Sequence, residues 1–154
     1  MINNKDFMVN LDHLLEETFE THHGIYLDKG TSLLETLKTI SAREASIPVG
    51  GKCASLAAQV THVIFYLEVL ERYIVHKDSS PADWGAVWQS VEKVTPEEWD
   101  TLQTRLAATY HRISKVFDEI ETWTEDTLGS ALAVVVHTAY HLGEIRQALC
   151  TLRN

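Results

Sequence analysis

The sequence predicts an all-α protein: a four-helix bundle with short extra helices and a long connection between the second and third long helices. Three observations predict it. Apolar residues recur at three- and four-residue steps through four long segments. No segment alternates with the two-residue period of a strand, and none repeats internally. Helix breakers are sparse, with 7 Gly and 3 Pro in 154 residues, while 45% of residues are hydrophobic and 23% charged, the balance of a chain that can bury a core. That length suits one domain, residues 1–154.

Phe7, Leu11, Leu14, Leu15 and Phe19 form the apolar side of the first helix, and Asp12, Glu16, Glu17 and Glu20 the polar side, with a stop near Gly24. Ser32 followed by Glu35 has capping-box spacing and opens a shorter helix through Leu33, Leu34, Leu37 and Ile40. Pro48, Gly50 and Gly51 then break the chain. The second long helix runs from about Ala54 to His76 and stops before the turn signal Asp78-Ser79-Ser80-Pro81. Trp84, Val87, Trp88 and Val91 mark a short amphipathic piece within the connection from His76 to Pro96. Thr95-Pro96-Glu97-Glu98 combines a threonine cap, proline at the first helical position and glutamate at the third. Trp99, Leu102, Leu106, Tyr110, Ile113, Phe117 and Ile120 continue from it as a core stripe ending near Trp123. The last helix spans Glu125 to about Leu152. Val134, Val135 and Val136 would suit a strand in isolation, but the helical spacing on both sides decides for helix.

Charge and composition exclude whole classes of function. Thirteen Lys and Arg against 22 Asp and Glu give a net charge of -9, which repels phosphate backbones and argues against nucleic acid as a partner. The apolar run around Ala131–Val136 is far shorter than a membrane span needs, and the acidic start lacks the pattern of a secretory signal. A cytoplasmic protein with no membrane partner is expected. Cys53 and Cys150 lie outside any paired spacing and are expected to be reduced core thiols.

Candidate chemistry lies among the 8 histidines. His13, His76 and His111 fall at charged or helix-end positions and need no function beyond solvation. His22 and His23 suit the helix C-terminal dipole as well as they suit a ligand. His137 and His141 stand four apart on one helical face, where two imidazoles can hold one divalent ion. From Leu128 to Leu142 that helix is apolar almost all round, with the two histidines as its main polar side chains. Burying an imidazole without a partner costs about 1–3 kcal/mol, and a metal satisfies two at once. Their face continues through Ser130, Ala133, Val134, Glu144 and Ala148, mostly small residues that leave room in front of the pair.

The third ligand should come from another helix. His62 is the best candidate, sharing a face with Ser55, Ala58, Gln59, Tyr66, Val69 and Tyr73, while Glu68, Glu71 and Arg72 point elsewhere. Two other metal chemistries fail on the sequence. A di-iron bundle needs two Glu-x-x-His segments, and only Glu20 to His23 has that form. A zinc protease of the His-Glu-x-x-His type needs glutamate after the first histidine, where Thr138 stands.

The run Ser46-Ile47-Pro48-Val49-Gly50-Gly51-Lys52 with His62 downstream, Asp83-Trp84-Gly85-Ala86-Val87-Trp88, and above all His137-Thr138-Ala139-Tyr140-His141-Leu142-Gly143-Glu144-Ile145-Arg146-Gln147 resemble the DinB-like superfamily of metal-binding four-helix bundles. The likeness covers most of the chain. It implies that the ligands are His62, His137 and His141, reached above from spacing and face, and that they hold a divalent metal, commonly zinc or nickel, often in a homodimer. It implies further a small-molecule substrate: some relatives look like S-transferases or isomerases that use a low-molecular-weight thiol such as bacillithiol, mycothiol or glutathione. Arg146 and Gln147 match the family's run, but Arg146 stands about 140° around the helix from His141, which suits an interhelical or subunit contact.

Three neutral imidazoles leave coordination positions open, the arrangement of a catalytic site, whether for S-transfer or for hydrolysis. Tyr66, Gln59 and Glu144 are the acid-base or ligand-orienting candidates, from wheel position alone. The sequence is also compatible with a different class of function: a non-catalytic, stress-associated dimeric scaffold, metal-binding or metal-free, with an interface on the outer face of the last helix through Leu132, Val136 and Leu149.

Overall fold

A computed structural model describes residues 4–51 and 53–153. Lys52, the last residue of the Ser46 run, lies outside them. The long helices are α1 (Asn4–Phe19), α4 (Leu56–His76), α6 (Pro96–Asp118) and α7 (Glu125–Arg153), and the short ones α2 (Leu33–Leu37), α3 (Ala42–Ala45) and α5 (Trp84–Gln89). No strand occurs among the described residues. Among the described residues no single helix is long and apolar enough to cross a membrane.

The helix ends follow local chemistry. Ser55 caps α4 by accepting the Ala58 N–H, and Lys77 closes that helix in the left-handed region at φ 53°. Thr95 and Glu98 form a reciprocal capping box beneath Pro96 at the start of α6. Thr124 and Thr127 exchange side-chain and backbone hydrogen bonds at the start of α7. The short helix expected from Ser32 through Ile40 ends at Leu37, and a second capping box, Ser41 with Glu44, starts a further helix, α3, beyond it. The break at Pro48 is real: Gly50 and Gly51 adopt φ of 59° and 75°, a turn that disfavours side chains.

Two boundaries move. α1 stops at Phe19 instead of near Gly24, where the Glu16 carbonyl accepts from both Glu20 and Thr21 N–H. α6 ends at Asp118, with Glu119 and Ile120 N–H turned back onto Lys115 and Phe117. Trp123 belongs to the following turn, yet its ring still packs on Phe7 and Phe117, so the apolar rhythm outlasts the helix.

α4 packs against α6 and α7, and α1 against the same two helices, so α1 and α4 occupy opposite corners of the bundle. Side-chain pairs give the directions. Glu68 and Glu71 of α4 meet Arg105 and Arg112 of α6, both numbers rising together, so these neighbours run parallel. His62 and Tyr66 of α4 meet His141 and His137 of α7 in falling order, so this pair is antiparallel. Parallel neighbours cannot be joined by a short turn. Residues 77–95 must return along α4, 21 residues or about 30 Å long, and α5 lies on that return path against α4.

The core is aliphatic and aromatic: Leu11, Leu15, Phe19, Leu67, Leu106, Ile113, Phe117 and Ile145 are fully or almost fully buried. Trp99 lies in it and donates its indole N–H to the Ile40 carbonyl at 2.7 Å. Glu17 corrects the amphipathic reading of α1. It is fully buried and accepts the N–H groups of Ile25, Tyr26 and Leu27, tying the loop after α1 to the helix. The cysteines also depart from expectation: Cys53 and Cys150 are both exposed.

Candidate metal centre

α4 and α7, held antiparallel by the packing above, bring His62, His137 and His141 together. One ring nitrogen from each lies within 4.8 Å of the others, and Nε2 of His62 stands 3.1 Å from Nε2 of His137. His62 and His141 are buried and His137 is half-buried. Among the described residues this is the cluster whose donor atoms could enclose an ion.

Aromatic rings fix the imidazoles. Trp88 of α5 stacks on His62 with centroids 4.2 Å apart, and Trp84 approaches the same ring edge-on at 6.1 Å. Tyr66 stacks on His137 at 3.6 Å and an interplanar angle of 10°. Tyr140 meets His141 edge-on at 5.1 Å. The crossover forced by parallel α4 and α6 thus places two tryptophans beside the histidines.

The electrostatics keep the cluster neutral. Burial first, then the neighbouring rings of His141 and His62, hold His137 down to about 3. Burial and the His141 ring push His62 down, opposed by the Glu144 carboxylate. Burial pushes His141 down against the same carboxylate. Neutral imidazole is the form that ligates a metal.

The donor set fits a divalent ion. Nε2 of His62 and Nε2 of His137 have each other as hydrogen-bond partner, a single bond between two rings that an ion held by both would replace with two. Tetrahedral nitrogen ligands lie about 3.3 Å apart; the 3.1 Å pair is already near that spacing and the third ring has a short way to close. His141 Nδ1 lies 2.9 Å from Glu144 Oε2, close but off the line of a hydrogen bond.

The three candidates from wheel position fare differently. Glu144 touches a histidine ring nitrogen side. Tyr66 touches His137 through its ring face, and burial pushes its phenol up, away from any role as a base at neutral pH. Gln59 is buried with Oε1 unpartnered and no hydrogen bond to the histidines. Trp84, Trp88 and Tyr140 were not singled out as site residues by spacing. The signal for the tryptophans was available in the four-residue step from Trp84 to Trp88 on a short helix inside a long connection.

The outer face of α7 divides. Leu132, Val136 and Tyr140 are exposed, Val136 by 67%, whereas Leu149 is buried in the core and is not part of any outer surface. Arg146 lines a shallow cleft of about 430 Å³ with Tyr26, Gln147 and Cys150.

Fold and site together define a helical bundle with a three-histidine cluster walled by aromatic rings. Compared with known proteins, the chain matches no family model, no curated protein and no solved structure.

Proposed function

We propose that the protein is a divalent-metal-dependent enzyme of the DinB-like kind, either an S-transferase that uses a low-molecular-weight thiol of the bacillithiol type or a hydrolase. In this reading His62, His137 and His141 hold zinc or nickel. One observation carries it: three neutral imidazoles from two helices converge, with a ring nitrogen of each within 4.8 Å of the others. The residue runs that resemble the DinB-like superfamily add to it. The setting is a cytoplasmic homodimer acting on a small molecule.

A divalent ion supplies Lewis acidity at this point and makes a thiol a better nucleophile at neutral pH. The chain's own residues do the positioning. Trp88 and Tyr66 hold the planes of His62 and His137 by stacking, and Glu144 faces the outer nitrogen of His141, where an orienting carboxylate belongs. In S-transfer the thiol sulfur bonds to an electrophilic carbon of the second substrate. The leaving group departs with its bonding pair, and the thiol proton goes to water.

Elemental mass spectrometry on untagged protein, beside a His137→Ala, His141→Ala double variant, tests the site. Near-stoichiometric zinc or nickel in the parent and none in the variant is the expected result, followed by a screen of thiols against model electrophiles. A parent that stays metal-free after zinc and nickel are offered overturns the reading.

One observation favours a second reading, a non-catalytic dimeric scaffold. Leu128, Leu132, Val136 and Tyr140 form an exposed stripe at four-residue steps on α7, a surface suited to a partner helix. No turnover with any thiol and electrophile, together with a stable dimer, would select it.

A further inference from the structure

The crossover also closes a cleft of about 490 Å³ against α4 and α6, and none of the three clustered histidines lines it. Phe65 of α4 and Pro81, Ala82, Ala86 and Val87 of the crossover give it apolar walls. Two guanidiniums join that lining, Arg72 from α4 and Arg105 from α6, in a chain whose net charge is -9.

Each guanidinium is held from one side by a carboxylate that does not itself line the cleft. Glu68 takes Nε and Nη2 of Arg105 at 3.2 and 2.8 Å, which leaves Nη1 for another acceptor. Asp78 faces Arg72 Nε at 3.2 Å, off the line of a hydrogen bond, and neither Nη of Arg72 has a hydrogen-bond partner among the described residues. The other polar side chains of the lining are already engaged. Thr61 and Ser90 donate their hydroxyls to the carbonyls of Ala57 and Val87, and Asp83 accepts the Ala86 N–H. The side-chain donors left for a ligand are therefore the Nη groups of two anchored arginines, the geometry that suits a planar anion. Apolar walls strengthen their field, and the single negative charge of Asp83 favours a monoanion over a dianion.

We propose that this cleft binds a small monocarboxylate with an apolar body, its carboxylate on Arg72 and Arg105 and its body on Phe65 and Val87. The proposal is independent of the metal reading.

The test titrates phenylpropionate, its uncharged amide and acetate into the protein by calorimetry, as purified and again after chelation. Phenylpropionate should bind about tenfold tighter than either the amide or acetate, and equally well before and after chelation. Arg72→Gln and Arg105→Gln should each weaken it about tenfold. Arg112→Gln is the control for charge alone, since Arg112 pairs with Glu71 on the same helix but does not line the cleft, and it should change affinity by less than about twofold. Backbone amide shifts in the parent, which need no variant to fold, should move at residues 82–90 on addition of the acid. Equal binding of acid and amide, no binding of the acid at about 10 mM, an equal loss in Arg112→Gln, or shifts confined to other segments overturns the proposal. Affinity that disappears on chelation also overturns it, by assigning the carboxylate to a metal at the histidines, and leaves the metal reading standing.

Discussion

Nε2 of His62 and Nε2 of His137 face each other 3.1 Å apart across the contact of α4 with α7, residues 75 positions apart in sequence. Two neutral rings share one proton along that line, and an ion held by both nitrogens would replace that single bond with two.

Replacing one ring separates the hydrogen bond from the metal site. His62→Phe keeps a flat ring against Trp88 and leaves Nε2 of His137 without its partner. In chelator-treated samples it should cost about 1–3 kcal/mol. The same variant should take up far less zinc. Thermal unfolding with and without metal reads both outcomes.

The C-terminal end of α7 is strapped to α3 by Arg153, which donates to Glu44 at 2.8 Å and to the Thr39 carbonyl at 2.6 Å. That guanidinium, with the Ser41 N–H and hydroxyl, holds the Glu44 carboxyl down to about 2 from an ordinary 4.5. A carboxyl depressed in the folded state contributes stability that is fully present above pH 4.5 and is lost as the pH falls towards 2. Denaturation midpoints measured between pH 6 and 2.5 should decline less steeply in Glu44→Gln than in the parent.

Glu17 anchors the loop after α1 through three backbone N–H groups. Burial pushes its carboxyl up, but the donors of Leu27, Ile25 and Tyr26 together outweigh burial and hold it below the ordinary range. Glu17→Ala should cost roughly 2–4 kcal/mol by chemical denaturation, because it strands several donors at once. Limited proteolysis should then cut within residues 20–30, which resist in the parent.

The exposed α7 stripe gives a prediction on assembly. Val136→Lys places a charge at its most exposed apolar position. Sedimentation velocity should record a dimer for the parent and a monomer for the variant. A parent that sediments as a monomer at micromolar concentration removes the dimer from the reading.

The four long helices were legible because each carries a periodic apolar stripe and, in α6, a complete start signal from Thr95 to Glu98. The meeting of His62 with His137 and His141 was legible from faces, since His62 and Tyr66 share a side of α4 and the pair shares a side of α7. What sequence periodicity hides is what comes from elsewhere in the chain. Glu17 reads as surface because its partners, the N–H groups of residues 25–27, carry no side-chain signature. Leu149 reads as outer face although it is buried, because a helix apolar nearly all round gives no clue to which side meets the core. The tryptophan wall depends on α4 and α6 running parallel, which no local pattern encodes.

That crossover separates two kinds of constraint. Residues 78–95 join the four long helices at few points: Val87 is buried, Val91 and Val94 pack half-buried on the core, Asp78 pairs with Arg72, and Ser46 and Val94 exchange hydrogen bonds. They nevertheless carry two of the rings that lie against His62. Insertions, deletions and ring exchanges in this segment can alter what the site admits while the bundle keeps its stability. Selectivity in such a scaffold is free to diverge quickly, and directed evolution aimed at residues 81–90 would change ligand range with the fewest folding casualties.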